Sequence, residues 1–331
     1  MTTLSIETTN RTGNWWHNLW VIAKKEMRDA FRSRLFIIAL VMLLGLSLTA
    51  IGLGAITVRA RVVEYEQSVQ VLRDLGRTDI PAMPSLNPLA VSKNFINYLA
   101  MIGALLAMIL GFTAIDKERK AGTLRLILSR PVYRDQLLTG KIIGNAILLA
   151  VFLGVVGVLT IIALYLLGGV GLTGQEIIKL MLTMLMSWLY TLVFFLLSLF
   201  FTILVANSNQ ALTLTIIVWL IFAFIFPQIG DTMDLDNQLP GGFFARMGLN
   251  EQEALQQFKW YETVRDGIEQ LSPTKHYERI SFALLGVKPQ FIDNTWDEIL
   301  QLKLIDIVGM ALPIIVLASG SYVLFLRQEQ P

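Results

Sequence analysis

The chain has 331 residues, of which 54% are hydrophobic and 16% charged, with 27 Lys and Arg against 25 Asp and Glu for a formal net charge of +2. Soluble domains carry about 25% charged residues, so this deficit, with a mean hydropathy of +0.60, points to lipid, while so small a net charge gives no reason to expect a nucleic-acid partner. The chain contains no cysteine, which excludes disulfides, thiolate metal sites and cysteine nucleophiles.

Residues 1–14 are rich in Thr and Asn and read as disordered. Residues 15–34 are amphipathic: Trp15, Trp16, Leu19, Trp20, Ile22 and Ala23 oppose Lys24, Lys25, Arg28, Arg32 and Arg34. Tryptophans beside a basic face mark a helix lying in the membrane interface. No cleavable signal peptide is expected, because the first apolar run begins near Leu35, is too long and follows a charged segment. Residues 35–57 form a first span of about the 20 apolar residues a bilayer requires. The helix continues beyond it, since Val62, Tyr65, Val69, Leu72 and Leu75 recur at spacings of three and four. Pro81, Pro84 and Pro88 then make a loop that completes segment 58–93.

Span two is 94–115, and a charged island occupies 116–141. Spans three, four and five follow at 142–167, 177–205 and 211–229. A long polar segment covers 230–303, with helical periodicity through Leu255, Phe258, Tyr261, Val264 and Ile268. Ser272-Pro273 caps the next helix, which ends at Gly286, and Thr295 with Glu298 forms a capping box leading into span six, 304–326. The expected fold class is an all-α polytopic membrane protein with six spans. Segment 230–303 is longer than a connection needs to be; it and the helix beginning at Val58 are expected to pack as one small helical domain outside the membrane. Lys and Arg number fourteen over the N-terminal segment, the island and the tail, against twelve in the much longer 58–93 and 230–303 segments. The bias of the short segments puts both termini and the island in the cytoplasm of a cell membrane protein.

The island DKERKAGTLRLILSRPVYRDQLLTGK reads as helix end, turn, stub helix, turn and helix. Gly122 suits the position after a helix C-terminus, Thr123 an N-cap and Pro131 a helix start. Its order of residues resembles the first cytoplasmic loop of ABC-2-type transporter permeases, with the NosY-like permeases nearest. Glu118, Gly122, Thr123, Leu124, Leu128, Ser129, Pro131, Gly140 and Lys141 stand where that pattern wants them. The resemblance implies that Glu118, Arg119, Gly122, Thr123, Leu124, Leu128, Ser129, Pro131 and Lys141 couple the chain to an ATPase. It also implies two copies of an ATP-binding subunit carrying ATP and Mg, a second permease chain, and export as the direction of transport.

The sequence holds no G-x-x-x-x-G-K-[ST] phosphate loop, so energy from ATP has to come from another subunit and this chain is not expected to be an enzyme. Neither His17 nor His276 has a plausible set of metal-ligand neighbours, and His276, in Lys275-His276-Tyr277-Glu278, reads as part of a solvated helix face. Asp306 falls in the first turn of span six and reads as a boundary residue that reaches the interface and suits the positive helix end. Within span four, Thr183, Ser187, Thr191, Ser198 and Thr202 lie within an arc of about 100° at 3.6 residues per turn; they either pack against a neighbouring helix or line a permeation route. Two other functional classes compete. A membrane serine protease using Ser319 or Ser321 would need a base in another span. A mechanotransmitter or sensor would use the same ATPase coupling and move no solute.

Overall fold

The structure, a computed structural model, describes residues 11–75, 88–122, 134–169, 171–233 and 259–327. Among the described residues the chain is helical throughout, and six of its helices are long and apolar enough to cross a membrane.

The first helix, α1 (Arg11–Ala30), is the amphipathic one. Leu19, Ala23, Glu26 and Ala30 form its buried stripe, while Trp16 and Trp20 are exposed. A short turn at residues 31–33 leads into α2 (Arg34–Asp74), 41 residues long. Its buried residues, from Phe36 through Leu43, Ser47, Ile51 and Ala55 to Val58, form one stripe against the bundle, and residues 59–74 run on with mostly exposed side chains. A 3-10 turn at Pro88–Ser92 opens α3 (Lys93–Lys120), which widens to a π turn at Leu99–Gly103. Gly122, at φ +65°, ends the helical path in the left-handed conformation that glycine adopts without steric cost.

Next, α4 (Arg134–Leu166) begins about two turns earlier than the apolar run alone indicates, so Lys141 lies inside a helix. It crosses to α5 (Gly174–Leu204), whose first turn is closed by a Thr173–Glu176 capping box. This helix is the hub of the bundle: 72% of its apolar window is buried, against 11% for the last span. Closest to it comes α3, because Gly111 has no Cβ; an added one would stand 2.2 Å from the Phe195 carbonyl oxygen. The next span, α6 (Ser208–Met233), carries a second π turn at Ile221–Ile225.

Two shorter helices, α7 (Lys259–Glu269) and α8 (Pro273–Leu284), form a hairpin through the Gln270–Ser272 turn. Ser272 Oγ accepts from the Lys275 amide at 3.3 Å, and Pro273 fills the first helical position, as the sequence predicts. Helix α8 packs on α5, and α7 packs on the last turns of α6. Gly286, at φ +57°, ends α8, and the Thr295–Glu298 box starts α9 (Trp296–Leu302). The last span is α10 (Leu304–Arg327), which also lies against α5 and α8.

Both π turns present a carbonyl to a side-chain donor. Tyr190 on α5 donates its hydroxyl to Ala100 O at 2.7 Å and lies 3.3 Å from Thr274 Oγ1, while Ser272 Oγ donates to Phe222 O. A helix that takes in an extra residue leaves a carbonyl without its usual amide, and here side chains supply the missing donors. Tyr190 also stacks on Tyr277, with ring centroids 4.5 Å apart.

Candidate coupling site

Charged residues converge where α1, α3 and α4 meet. Lys141, 1% exposed, is held by Glu26 Oε1 at 2.7 Å, Glu118 Oε1 at 3.0 Å and Ala114 O at 2.6 Å. Lys25 reaches the same Glu118 oxygen at 2.6 Å. Two ammoniums and two carboxylates therefore neutralise one another across three helices. Burial alone would lower the Lys25 ammonium, but the hydrogen bond and the charge of Glu118 outweigh it and hold the group above its ordinary value.

Two glycines on α4 make the meeting possible. An added Cβ at Gly144 would lie 2.8 Å from Ala23 Cα, and one at Gly140 would lie 2.8 Å from Ile22 Cβ, so α1 rests on α4 almost backbone to backbone. The carboxylate of Glu26 falls on the same face as Leu19, Ala23 and Ala30 and is carried into the interior with them. There it has a cation to meet.

Arg119 serves a different end. Its guanidinium donates to Thr202 O at 2.9 Å, Val205 O at 3.0 Å and Ala206 O at 3.3 Å. These are carbonyls at the C-terminus of α5, where a cation satisfies orphan acceptors and the negative helix end. Asp116 accepts from Ser208 Oγ at the start of α6 and pairs with Lys120 at 2.9 Å. The end of α3 thus grips α1, α4, α5 and α6 through consecutive charged residues.

Of the residues assigned to coupling, the structure brings Glu118 and Lys141 together, puts Arg119 on α5, and leaves Gly122 with open space around it. Thr123, Leu124, Leu128, Ser129 and Pro131 lie outside the described residues. Sequence reasoning missed Lys25, Glu26 and Asp116. The available signal was Glu26, an acid on the apolar stripe of an otherwise basic helix.

The hydroxyls of α5 are all buried. Thr183 and Thr202 donate back to Lys179 O and Ser198 O, and Thr191 donates to Trp188 O. Ser198 bonds across to Met108 O at 2.8 Å, and Ser187 meets Tyr277 Oη at 2.9 Å. The stripe therefore faces α3 and α8.

Two readings of the sequence are corrected. His276 is not on a solvated face: it is 4% exposed, with Nδ1 2.8 Å from Asp306 Oδ1 and Nε2 2.8 Å from Gln270 O. Asp306 is in the first turn of α10, as expected, but does not reach the interface: α8 covers that turn, and the carboxylate is 5% exposed. Helix α8 is buried on nearly every side, so its local polarity reports the polar groups it meets rather than water. Among the described residues no group of three or more His, Cys, Asp or Glu could hold a metal.

A family model described as ABC-2 family transporter protein matches residues 20–330. The chain is similar to an ABC transporter permease protein NosY of Pseudomonas aeruginosa, 32% identical over 133 residues, 40% of either chain. It is similar also to a permease protein of the same name from Stutzerimonas stutzeri, 31% identical over 134 residues, 40% of this chain and 41% of that one. The matched stretch thus spans about two fifths of the length of these curated relatives.

Proposed function

The chain belongs to the ABC-2 family of transporter proteins, and from that premise we propose that it is the membrane-spanning permease subunit of an ABC transporter, working as an exporter. Two separate ATP-binding subunits, carrying ATP and Mg, drive a pair of permease chains. They act on the 116–141 segment, which with both termini lies in the cytoplasm of a cell membrane protein.

The observation that carries this reading is the Lys141 cluster. The segment that would receive the ATPase joins the end of α3 to the start of α4. Glu118 and Lys141 flank that segment, and they are bonded to each other and to α1. A push on the segment between them is delivered to three helices at once rather than absorbed by a loose loop. Arg119 passes the same displacement to the end of α5, the most buried helix of the bundle.

Purification in mild detergent from cells expressing the neighbouring genes should recover an ATP-binding subunit in stoichiometric amount. Gly122→Trp should leave the chain inserted and the complex assembled but abolish substrate-stimulated ATP hydrolysis. Purification without an ATP-binding partner, or full coupling in the tryptophan variant, would overturn the reading.

A further inference from the structure

The His276 imidazole meets an oxygen at each nitrogen, Asp306 Oδ1 at 2.8 Å from Nδ1 and Gln270 O at 2.8 Å from Nε2. A backbone carbonyl can only accept, so Nε2 must carry a hydrogen. A neutral imidazole has a single N–H. With that hydrogen on Nε2, Nδ1 would confront the carboxylate bare, lone pair against lone pair, in a buried place. The contact is attractive only when one more proton lies between Nδ1 and Oδ1. We propose that His276 and Asp306 form a buried proton-binding site, and that the bound proton, resident on the imidazole, latches the α7–α8 hairpin onto α10.

Three features fix the arrangement. Lys303 Nζ stands 3.5 Å from Asp306 Oδ2, so the carboxylate sits between the ring and an ammonium. Gly309 supplies the ring's seat, since an added Cβ there would lie 2.3 Å from imidazole atoms. Through Gln270 O the ring also holds the turn between α7 and α8, so one side chain ties the tip of the hairpin to the last span. Losing the proton removes the bond to α10 and leaves Asp306 with Lys303 and Arg279 to offset its charge.

The other charged neighbours have partners of their own, though Arg279 also feels the charge of Asp306. On α8, Lys275 pairs with Asp231 of α6 at 2.7 Å, and Arg279 pairs with Asp266 and Glu269 of α7 at 2.9 and 2.5 Å. Glu278, also on α8, is raised above the ordinary carboxyl range by burial. Towards α8, α5 presents the hydroxyls of Ser187 and Tyr190, and its Lys179 bonds to Ile292 O. Glu298 of α9 is engaged in its own capping box, and Lys93 at the start of α3 lies over the Phe282 ring. A polar cavity of about 450 Å³ adjoins the site, lined by Glu269, Glu278, Arg279 and Lys303 among others. Lys303 borders both the cavity and Asp306.

The inference does not depend on the transport reading, and the chain is suited to a direct test because His17 and His276 are its two histidines. In full-length protein labelled with ¹⁵N-histidine and carrying His17→Gln, the remaining ring should show both nitrogens protonated at pH 7. A bare ring nitrogen at that pH overturns the proposal. Asp306→Asn should return the ring to a neutral form with its hydrogen on Nε2; a ring still doubly protonated would overturn the assignment of the site to this pair. For the latch, amide hydrogen exchange across residues 273–284 is followed as the pH is raised until the ring signal becomes neutral. After correction for base-catalysed chemistry, exchange there should rise at least tenfold relative to α5, and His276→Gln should show the raised level at every pH. Unchanged corrected exchange would overturn the latch.

Discussion

At the α1 end of the bundle, Lys141 is buried among carboxylates contributed by two other helices. Midway along α5, Tyr190 is buried just as deeply, but among a π-turn carbonyl, a threonine hydroxyl and another tyrosine ring. Both clusters join several helices inside an apolar bundle, yet they tolerate damage differently. Removing one member of the ionic cluster strands a full charge, whereas removing a hydroxyl strands only a dipole. The ionic cluster is therefore stiff and intolerant, suited to passing displacement on. The hydroxyl cluster costs less to rearrange, and it sits against the π turn of α3.

The hardest test of that contrast is Lys141→Met. It takes away the ammonium 2.7 Å from Glu26 and 3.0 Å from Glu118, and breaking a buried pair from one side costs about 3–5 kcal/mol. Thermal unfolding in detergent should show a large drop, with part recovered by adding Glu26→Gln. An unchanged midpoint would remove the distinction between the clusters.

Gly144→Ala comes next. The new methyl would press on Ala23 backbone atoms at 2.8 Å, and overpacking of this kind costs about 1–3 kcal/mol. Because the charged residues stay in place, the expected signature is release of α1, read as faster exchange or proteolysis of residues 15–30 with the spans still protected.

Tyr190→Phe keeps the stacked ring and removes the donor to Ala100 O, for an expected loss of about 1 kcal/mol, with exchange rising at residues 99–103. A loss as large as that of Lys141→Met would erase the comparison. The smallest effect is expected for Lys120→Ala. Its pair with Asp116 has a largely exposed lysine, and such pairs contribute about 0.3–0.5 kcal/mol. Its unfolding midpoint should move by no more than the scatter of repeat measurements.

The six spans were legible because their length and apolarity are properties of the local sequence, and so were caps such as Ser272-Pro273 and Thr295 with Glu298. What could not be read depends on a partner helix. Lys141 read as the last residue of the charged island, at the entry to span three, but α4 runs unbroken from Arg134 and carries the lysine inward to meet Glu26. His276 looked solvated because Lys275 and Glu278 flank it. Its surroundings are supplied by Gln270 on one side and by α10 on the other, and no periodicity within α8 records either of them.

Helix α2 has one further consequence. At about 1.5 Å per residue its 41 residues make a rod of roughly 60 Å, about twice the thickness of the hydrocarbon layer. Its near end is joined to α1 by the short turn at 31–33, and Phe31 packs edge-on against Phe36 across that turn. Such a rod is a lever. A tilt of about 10° at the α1 end would sweep the opposite tip through roughly 10 Å, since the helical rise sets the length of the arm. A displacement too small to matter at the hinge would become a stroke the size of a side chain, delivered beyond the bundle. Spin labels at positions 34 and 74, each measured against a label on α5, would read the two amplitudes separately.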